Sequence, residues 1–300
     1  MSSKVYSEIK RIPDGMATGG LTEGCLVLEG GAFRGVYSEG VMDLLMQKGI
    51  NFQCVIGVSA GAMSGTCYMS GQIGRAARIN LGQRHNPDYV GAKAAMKSRS
   101  IIRLDYPLRD YDKVEPLRMD KLLSDDRRFV AVATNLNTGA PAYLEKDNCS
   151  DIITAVKASA SMPVVSPIVY LDGEPYLDGG CSAKIPYQWA LHEGYKKVVI
   201  VRTRERGYRK KVRRDRIADG LYSKYPNFVE SLDNCDAAYN KLCDDIEEQE
   251  KLGRVFTIYP SETVTVKRVE PDVEKLGHLY WLGYYDMLNK LKELKEYLEK

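Results

Sequence analysis

The chain has 300 residues, of which 44% are hydrophobic and 28% charged, and its formal net charge is +3. That length supports one large domain or two small ones with a substantial core, and so small a charge gives no argument for nucleic acid as a partner. Residues 1–20 lack the apolar core of a signal peptide and no apolar run approaches the roughly 20 residues that span a bilayer. Seven cysteines without a C-x-x-C pair fit a reducing, cytoplasmic compartment.

In chain order, the apolar run 25–28 predicts a strand and Gly30-Gly31-Ala32-Phe33-Arg34-Gly35 a glycine-rich turn. A helix is expected over 36–48, with Val41, Leu44, Leu45 and Lys48 near one face and Gly49 as its stop. A second strand, Cys54-Val55-Ile56, runs into Gly57-Val58-Ser59-Ala60-Gly61, and the small residues from Ala60 to Ser64 can open a helix. Further strands are expected at 129–134, 164–170, 197–202 and 254–259, and helices at 113–123 and 149–160. Asp172-Gly173 is a two-residue hairpin turn between 168–171 and 174–177, which places Asp178 at a strand end before Gly179 and Gly180. A polar helical stretch is expected up to Gly253, and a last helix over 284–300 carries Tyr284, Leu288, Leu291, Leu294 and Leu298 at helical intervals. Strands alternating with helices predict an α/β fold of three layers, a mostly parallel central sheet flanked by helices.

A serine between glycines at a strand-to-helix turn suits a nucleophile, because the flanking positions have little room for side chains and the hydroxyl projects from the turn. Acyl transfer also needs donors for an oxyanion, and the amides of the 30–35 turn, beside a helix N-terminus, can supply them. A dinucleotide phosphate turn is the competing reading of that loop. Against it, Ala32 replaces the third glycine and the next strand ends in Gly57-Val58-Ser59 rather than an acid. The base is open between two arrangements. In one, Ser59, Asp178 and His278 form a hydrolase triad. In the other, Asp178 contacts Ser59 directly, with partial desolvation to strengthen a carboxylate of ordinary pKa about 4. His278, His192 and His85 each sit in sequence that reads as packing surface, helix or polar loop.

The ordered set of Gly30-Gly31-Ala32-Phe33-Arg34-Gly35, Gly57-Val58-Ser59-Ala60-Gly61, Ala158-Ser159-Ala160-Ser161-Met162-Pro163 and Asp178-Gly179-Gly180 resembles the patatin-like phospholipases over roughly residues 22–203. The resemblance implies a catalytic dyad without histidine, with Ser59 as nucleophile and Asp178 as base. It makes Gly30, Gly31, Ala32, Arg34 and Gly35 the oxyanion-hole turn, Gly57 and Gly61 the elbow glycines, and Gly179 and Gly180 part of the Asp-Gly-Gly motif. It further implies hydrolysis of fatty-acyl esters of lipids, with no cofactor and no metal. Ala32 stands where many members have a third glycine, and Arg34 matches the basic residue of the turn. A non-catalytic lipid-binding protein that keeps the fold is the alternative from outside enzymology.

The expected organisation is an N-terminal segment 1–21, a catalytic domain 22–203, and a C-terminal extension 204–300 packed on the same domain and without a family signature. Arg202, Arg204, Arg206, Arg209, Lys210, Lys211, Arg213, Arg214 and Arg216 crowd the start of that extension. A solvated face is the first expectation for them, and peripheral contact with an anionic membrane the second. Cys181 reads as a small packed residue.

Overall fold

The computed structural model describes residues 4–212 and 216–300. Its first half runs β1 (Leu21–Leu28), α1 (Val36–Gln47), β2 (Asn51–Val58), α2 (Ala60–Met69), α3 (Arg75–Gly82), β3 (Arg128–Asn135) and β4 (Pro141–Leu144). The second half runs α4 (Ile152–Ser159), β5 (Val169–Leu171), β6 (Glu174–Asp178), α5 (Tyr187–His192), β7 (Val198–Val201), α6 (Pro226–Lys251), β8 (Phe256–Ile258) and α7 (Val273–Glu299). The eight strands make one sheet in the order β8-β7-β1-β2-β3-β6-β5, with β4 also paired to β3. The five strands from β8 to β3 are parallel, while β4, β5 and β6 pair antiparallel.

Two faces of this sheet are buried because its strands carry apolar side chains at both odd and even positions. Leu26, Leu28 and Val55 join a core with α1 and α7. Cys25, Val27, Cys54 and Ile56 point the other way and meet Tyr187 of α5 and Tyr239, Cys243 and Ile246 of α6. The three-layer, mostly parallel α/β arrangement is therefore as expected. Among the described residues, no helix is long and apolar enough to cross a membrane.

Three elements differ from expectation. Over 113–123 the chain forms only a 3-10 turn, Asp110–Lys113, and one short helical turn, Met119–Leu122. Pro116, which has no N–H to give, lies between them. The strand expected at 164–170 shrinks to β5, because Pro163 and Pro167 punctuate the approach and Ser166 N bonds back to Met162 O at 3.0 Å. The last helix starts at Val273 rather than 284, its first amides capped by the Asp272 side chain. The chain after Arg204 supplies the sheet edge β8, the two longest helices and part of the layer on each face.

Helix α7 lies against α1 at glycine depth. A Cβ on Gly40 would sit 2.0 Å from Tyr280 O, and one on Gly283 would sit 2.0 Å from Tyr37 O. Tyr280 and Tyr37 then send their hydroxyls across the crossing, to Asp43 Oδ2 at 2.7 Å and Asp286 Oδ2 at 3.0 Å. Gly283→Ala is expected to lower unfolding free energy by about 3 kcal/mol through overpacking. Gly82→Ala, where the added carbon meets only Ile9 Cδ1 at 3.9 Å, is the matched control in urea titrations. Equal midpoints for the two variants would contradict this account of the crossing.

Candidate active site

Parallel β1 and β2 end at the same edge of the sheet, so the loops that leave them must meet there. The 30–35 turn follows β1 and Ser59 follows β2. Their approach leaves no space for side chains: a Cβ on Gly30 would lie 2.9 Å from Ser59 Cβ, and one on Gly61 would lie 2.5 Å from Leu28 O. Likewise a Cβ on Gly57 would meet Gly61 C at 2.6 Å, and one on Gly35 would meet Ala60 Cβ at 2.8 Å. Ser59 itself has φ 55° and ψ −121°, a sparsely populated conformation for a residue with a side chain.

Asp178 ends β6, paired with Ala133 of β3. Ser59 Oγ donates to Asp178 Oδ2 at 2.6 Å, and Asp178 Oδ1 accepts from Gly180 N at 2.7 Å. Gly179 is required beside it, since a Cβ there would lie 2.0 Å from Val132 O. The aspartate backbone is tied down as well, by its N–H to Ser161 O at 2.7 Å and by Thr134 Oγ1 to its carbonyl at 2.9 Å. Burial raises the Asp178 carboxyl above its ordinary value, opposed by the bonds from Ser59 and Gly180 and by the charges of Lys184 and Arg268.

No imidazole stands between the two side chains. His278 is exposed on α7 and pairs with Glu262 Oε2 at 3.1 Å, and His192 closes α5. Cys181 is buried, as expected of a packing residue.

Within the 30–35 turn, Ala32 takes φ 50°, a left-handed conformation that glycine adopts more readily. The Phe33 amide donates to Arg268 O at 3.2 Å and the Arg34 amide to Gly31 O at 3.1 Å. Among the described residues, the amides of Gly31 and Ala32 have no such acceptor. Thr203 Oγ1 holds Gly30 O at 2.9 Å. Arg34 is half-buried, and among the described residues it has no carboxylate partner and its Nε has no hydrogen bond. Burial lowers its pKa to about 10, aided by the charges of Arg204 and Arg268. Lys210 is pushed down to about 8 by burial first, with Lys184 and Arg268 adding to it.

The rest of the basic stretch is largely neutralised by α6. Arg206 pairs with Glu250 at 2.7 Å, Arg209 with Asp244 and Glu247, and Lys210 with Asp236 at 3.1 Å. Arg202 is buried against Glu29 at 3.0 Å. Arg213 and Arg214 lie outside the described residues, as does the Arg216 side chain.

Ser59 opens into a cavity of about 70 Å³, set in a wider hollow of about 770 Å³ that includes open solvent. Phe33, Met63, Ile79, Leu104, Leu108 and Met162 make most of its wall apolar.

Two positions had no role assigned from sequence. Arg268 is remote in the chain and carries no local motif. Ser159 lies in a motif whose work shows only in three dimensions: its Oγ accepts from Ser59 N at 2.9 Å and donates to Val132 O at 2.5 Å. It thereby ties the strained elbow to β3.

A family model described as patatin-like phospholipase matches residues 26–191. The chain belongs to this family. Residues 225–299 match a second model, described as a domain of unknown function, DUF6363. This corrects the expectation that the extension carries no family signature. The segment is polar and helical, with no glycine-bracketed nucleophile or similar pattern to mark it by eye. Among curated proteins, the chain is 28% identical over 270 residues to the uncharacterised protein YjjU of Escherichia coli strain K12, covering 86% of this chain and 74% of YjjU. Among solved structures, VipD from Legionella pneumophila aligns with a TM-score of 0.47 and 14% identity, covering 91% of this chain and 67% of VipD.

Ser159→Ala is expected to strip the Ser59 amide of its acceptor and lower stability by about 1–3 kcal/mol. Turnover should fall with it, because the elbow loses its anchor. Chemical denaturation together with ester kinetics reads both effects, and an unchanged denaturation midpoint would refute the anchoring role.

Proposed function

We propose that the protein is a serine acyl-ester hydrolase of lipids that works through a Ser59–Asp178 dyad. The observation that carries this reading is the 2.6 Å bond from Ser59 Oγ to Asp178 Oδ2 at the wall of a largely apolar cavity. In the reaction Ser59 Oγ attacks the ester carbonyl while its proton passes to Asp178. The carbonyl oxygen becomes an oxyanion, held by the amides of Gly31 and Ala32, which have no acceptor among the described residues. One such donor is typically worth about 2.7–4 kcal/mol of barrier, so the turn matters as much as the dyad. Collapse breaks the ester bond and the departing alcohol takes the proton from Asp178. A water, deprotonated by Asp178, then attacks the acyl-enzyme, and Ser59 leaves protonated as the free acid forms. Burial of Asp178 assists both proton transfers, since a carboxylate of higher pKa is a better base.

Ser59→Ala and Asp178→Asn are each expected to cut turnover of a p-nitrophenyl acyl ester by at least about a thousandfold with circular dichroism unchanged. Full activity in either variant would remove the dyad. A fluorophosphonate probe should add to Ser59, and a folded protein that takes no adduct would favour a lipid-binding role without catalysis. His278→Ala should be silent, which separates the dyad from a histidine triad. The acid limb gives a further check. Asp178 must be ionised to act as base and its pKa is raised, so kcat/KM should fall on acidification with a midpoint above the roughly 3.9 of a free aspartate. A midpoint at or below that value would count against burial as the source of basicity.

The unpaired cations at the turn favour an ester whose alcohol portion is anionic, such as a phospholipid headgroup presented at a membrane surface. Arg34 and Arg204 each keep a buried Nε without a partner, and Arg268 is the exposed member of the group. Arg268→Gln is expected to lower the ratio of phosphatidylglycerol to p-nitrophenyl butyrate turnover by about fivefold at low salt. In about 1 M salt, where charges are screened over roughly 3 Å, the difference should nearly vanish. A ratio insensitive to both the substitution and salt would exclude headgroup attraction.

A further inference from the structure

One buried acid in the cavity wall has no part in the dyad. Glu39 lies on α1, is 3% exposed, and lines the same cavity as Ser59. Its Oε1 accepts from Asn80 Nδ2 at 2.6 Å, and Asn80 Oδ1 in turn accepts from Tyr89 Oη at 2.8 Å. Its Oε2 is shielded from solvent and has no hydrogen-bond partner among the described residues.

The other polar side chains of the wall are satisfied within the protein. Ser64 Oγ donates to Ala60 O at 2.8 Å and Thr66 Oγ1 to Met63 O at 2.7 Å. The Arg75 guanidinium is used by Glu115 O, Asp112 and Cys67. Glu39 is thus the cavity acid left with hydrogen-bonding capacity to spare. Burial, the largest cause, raises its carboxyl to about 8, so it is protonated at neutral pH. With Oε1 taken by Asn80 as an acceptor, the proton belongs on Oε2, where it forms a donor without an acceptor. Such a group costs about 1–3 kcal/mol when left unmade, and an oxygen supplied by a ligand would recover it.

Its place in the wall limits where that oxygen can be. Gly35 and Glu39 are four residues apart and share a face of the helix start, and Gly35 backs onto Ala60, next to the nucleophile. One helical turn of about 5.4 Å separates that contact from Glu39. The acid therefore stands beside the carboxyl-end portion of a chain esterified at Ser59, rather than its far tip.

We propose that Glu39 makes the cavity selective for acyl groups bearing a hydroxyl a few carbons from the scissile carbonyl. The inference rests on the hydrolase reading above for the identity of the chain, and on the geometry of Glu39 for its substituent. The hydroxyl oxygen accepts from Glu39 Oε2, while an unsubstituted chain leaves that donor facing methylene groups. Discrimination arises more from the penalty on the plain chain than from attraction for the hydroxylated one.

The test compares methyl 3-hydroxydecanoate with methyl decanoate at pH 6.5, by acid released. The same pair as free acids is titrated calorimetrically into Ser59→Ala protein. We expect about a tenfold preference for the hydroxylated compound in kcat/KM and in affinity. Glu39→Met should bring the ratio near one, and Glu39→Gln, which keeps a donor in the same place, should restore most of it. If Glu39→Met does not fold, the wild-type ratio and the Glu39→Gln ratio still decide the matter. A wild-type ratio near one in both assays, as a trapped water on Oε2 would produce, overturns the proposal. So does a preference that survives Glu39→Met. Absent turnover of both esters, with the binding preference intact in Ser59→Ala, would instead sink the hydrolase reading and leave the selectivity standing.

Discussion

The close approach of two main-chain turns governs the rest of this structure. Parallel β1 and β2 deliver the 30–35 turn and Ser59 to one edge, and Gly30, Gly35, Gly57 and Gly61 let backbone meet backbone there. Ser59 is held at φ 55° as a result, a strained state that its own sequence would not choose. The bonds from Ser159, Asp178 and the packed ends of β2 and α2 keep it there. Any methyl group added between these turns would separate the hydroxyl from the amides beside it.

That constraint explains which parts were readable from the sequence. Glycines and a serine with fixed spacing encode a close approach directly, because no other residue tolerates it. The strand β1, helix α1 and hairpin at Asp172-Gly173 announce themselves by short-range pattern, and the structure follows them. What depends on long-range contact was hidden. Ser159 reads as a small helix residue, yet it accepts a bond from a residue 100 positions earlier. Glu39 reads as one polar position of an amphipathic helix, and only α3 and α2 reveal it as buried. The segments near Pro116 and Pro167 read as regular elements by composition, yet the missing proline N–H groups break them into turns.

The basic stretch after β7 shows how composition misleads about charge. Nine lysines and arginines crowd 202–216, but α6 answers several of them with Asp236, Asp244, Glu247 and Glu250. Around the turn, Arg34, Arg204 and Arg268 have no acid partner among the described residues, and they come from distant parts of the chain. Charge at the site is set by which arginines lack a neighbour, a property of the packing rather than of the count.

The buried contact among Glu29, Arg202 and Tyr239 has a further consequence. Glu29 accepts from Arg202 Nε at 3.0 Å, from Thr203 N at 2.7 Å and from Tyr239 Oη at 2.9 Å. One acid at the mouth of the 30–35 turn is thus satisfied partly by a phenol from the α6 segment. Orphaning one member of such a buried set typically costs about 3–5 kcal/mol. Recombination between relatives could not exchange the two segments as independent cassettes. A transplanted tail would have to bring its own tyrosine in register, so the inheritance of either half is bound to that of the other.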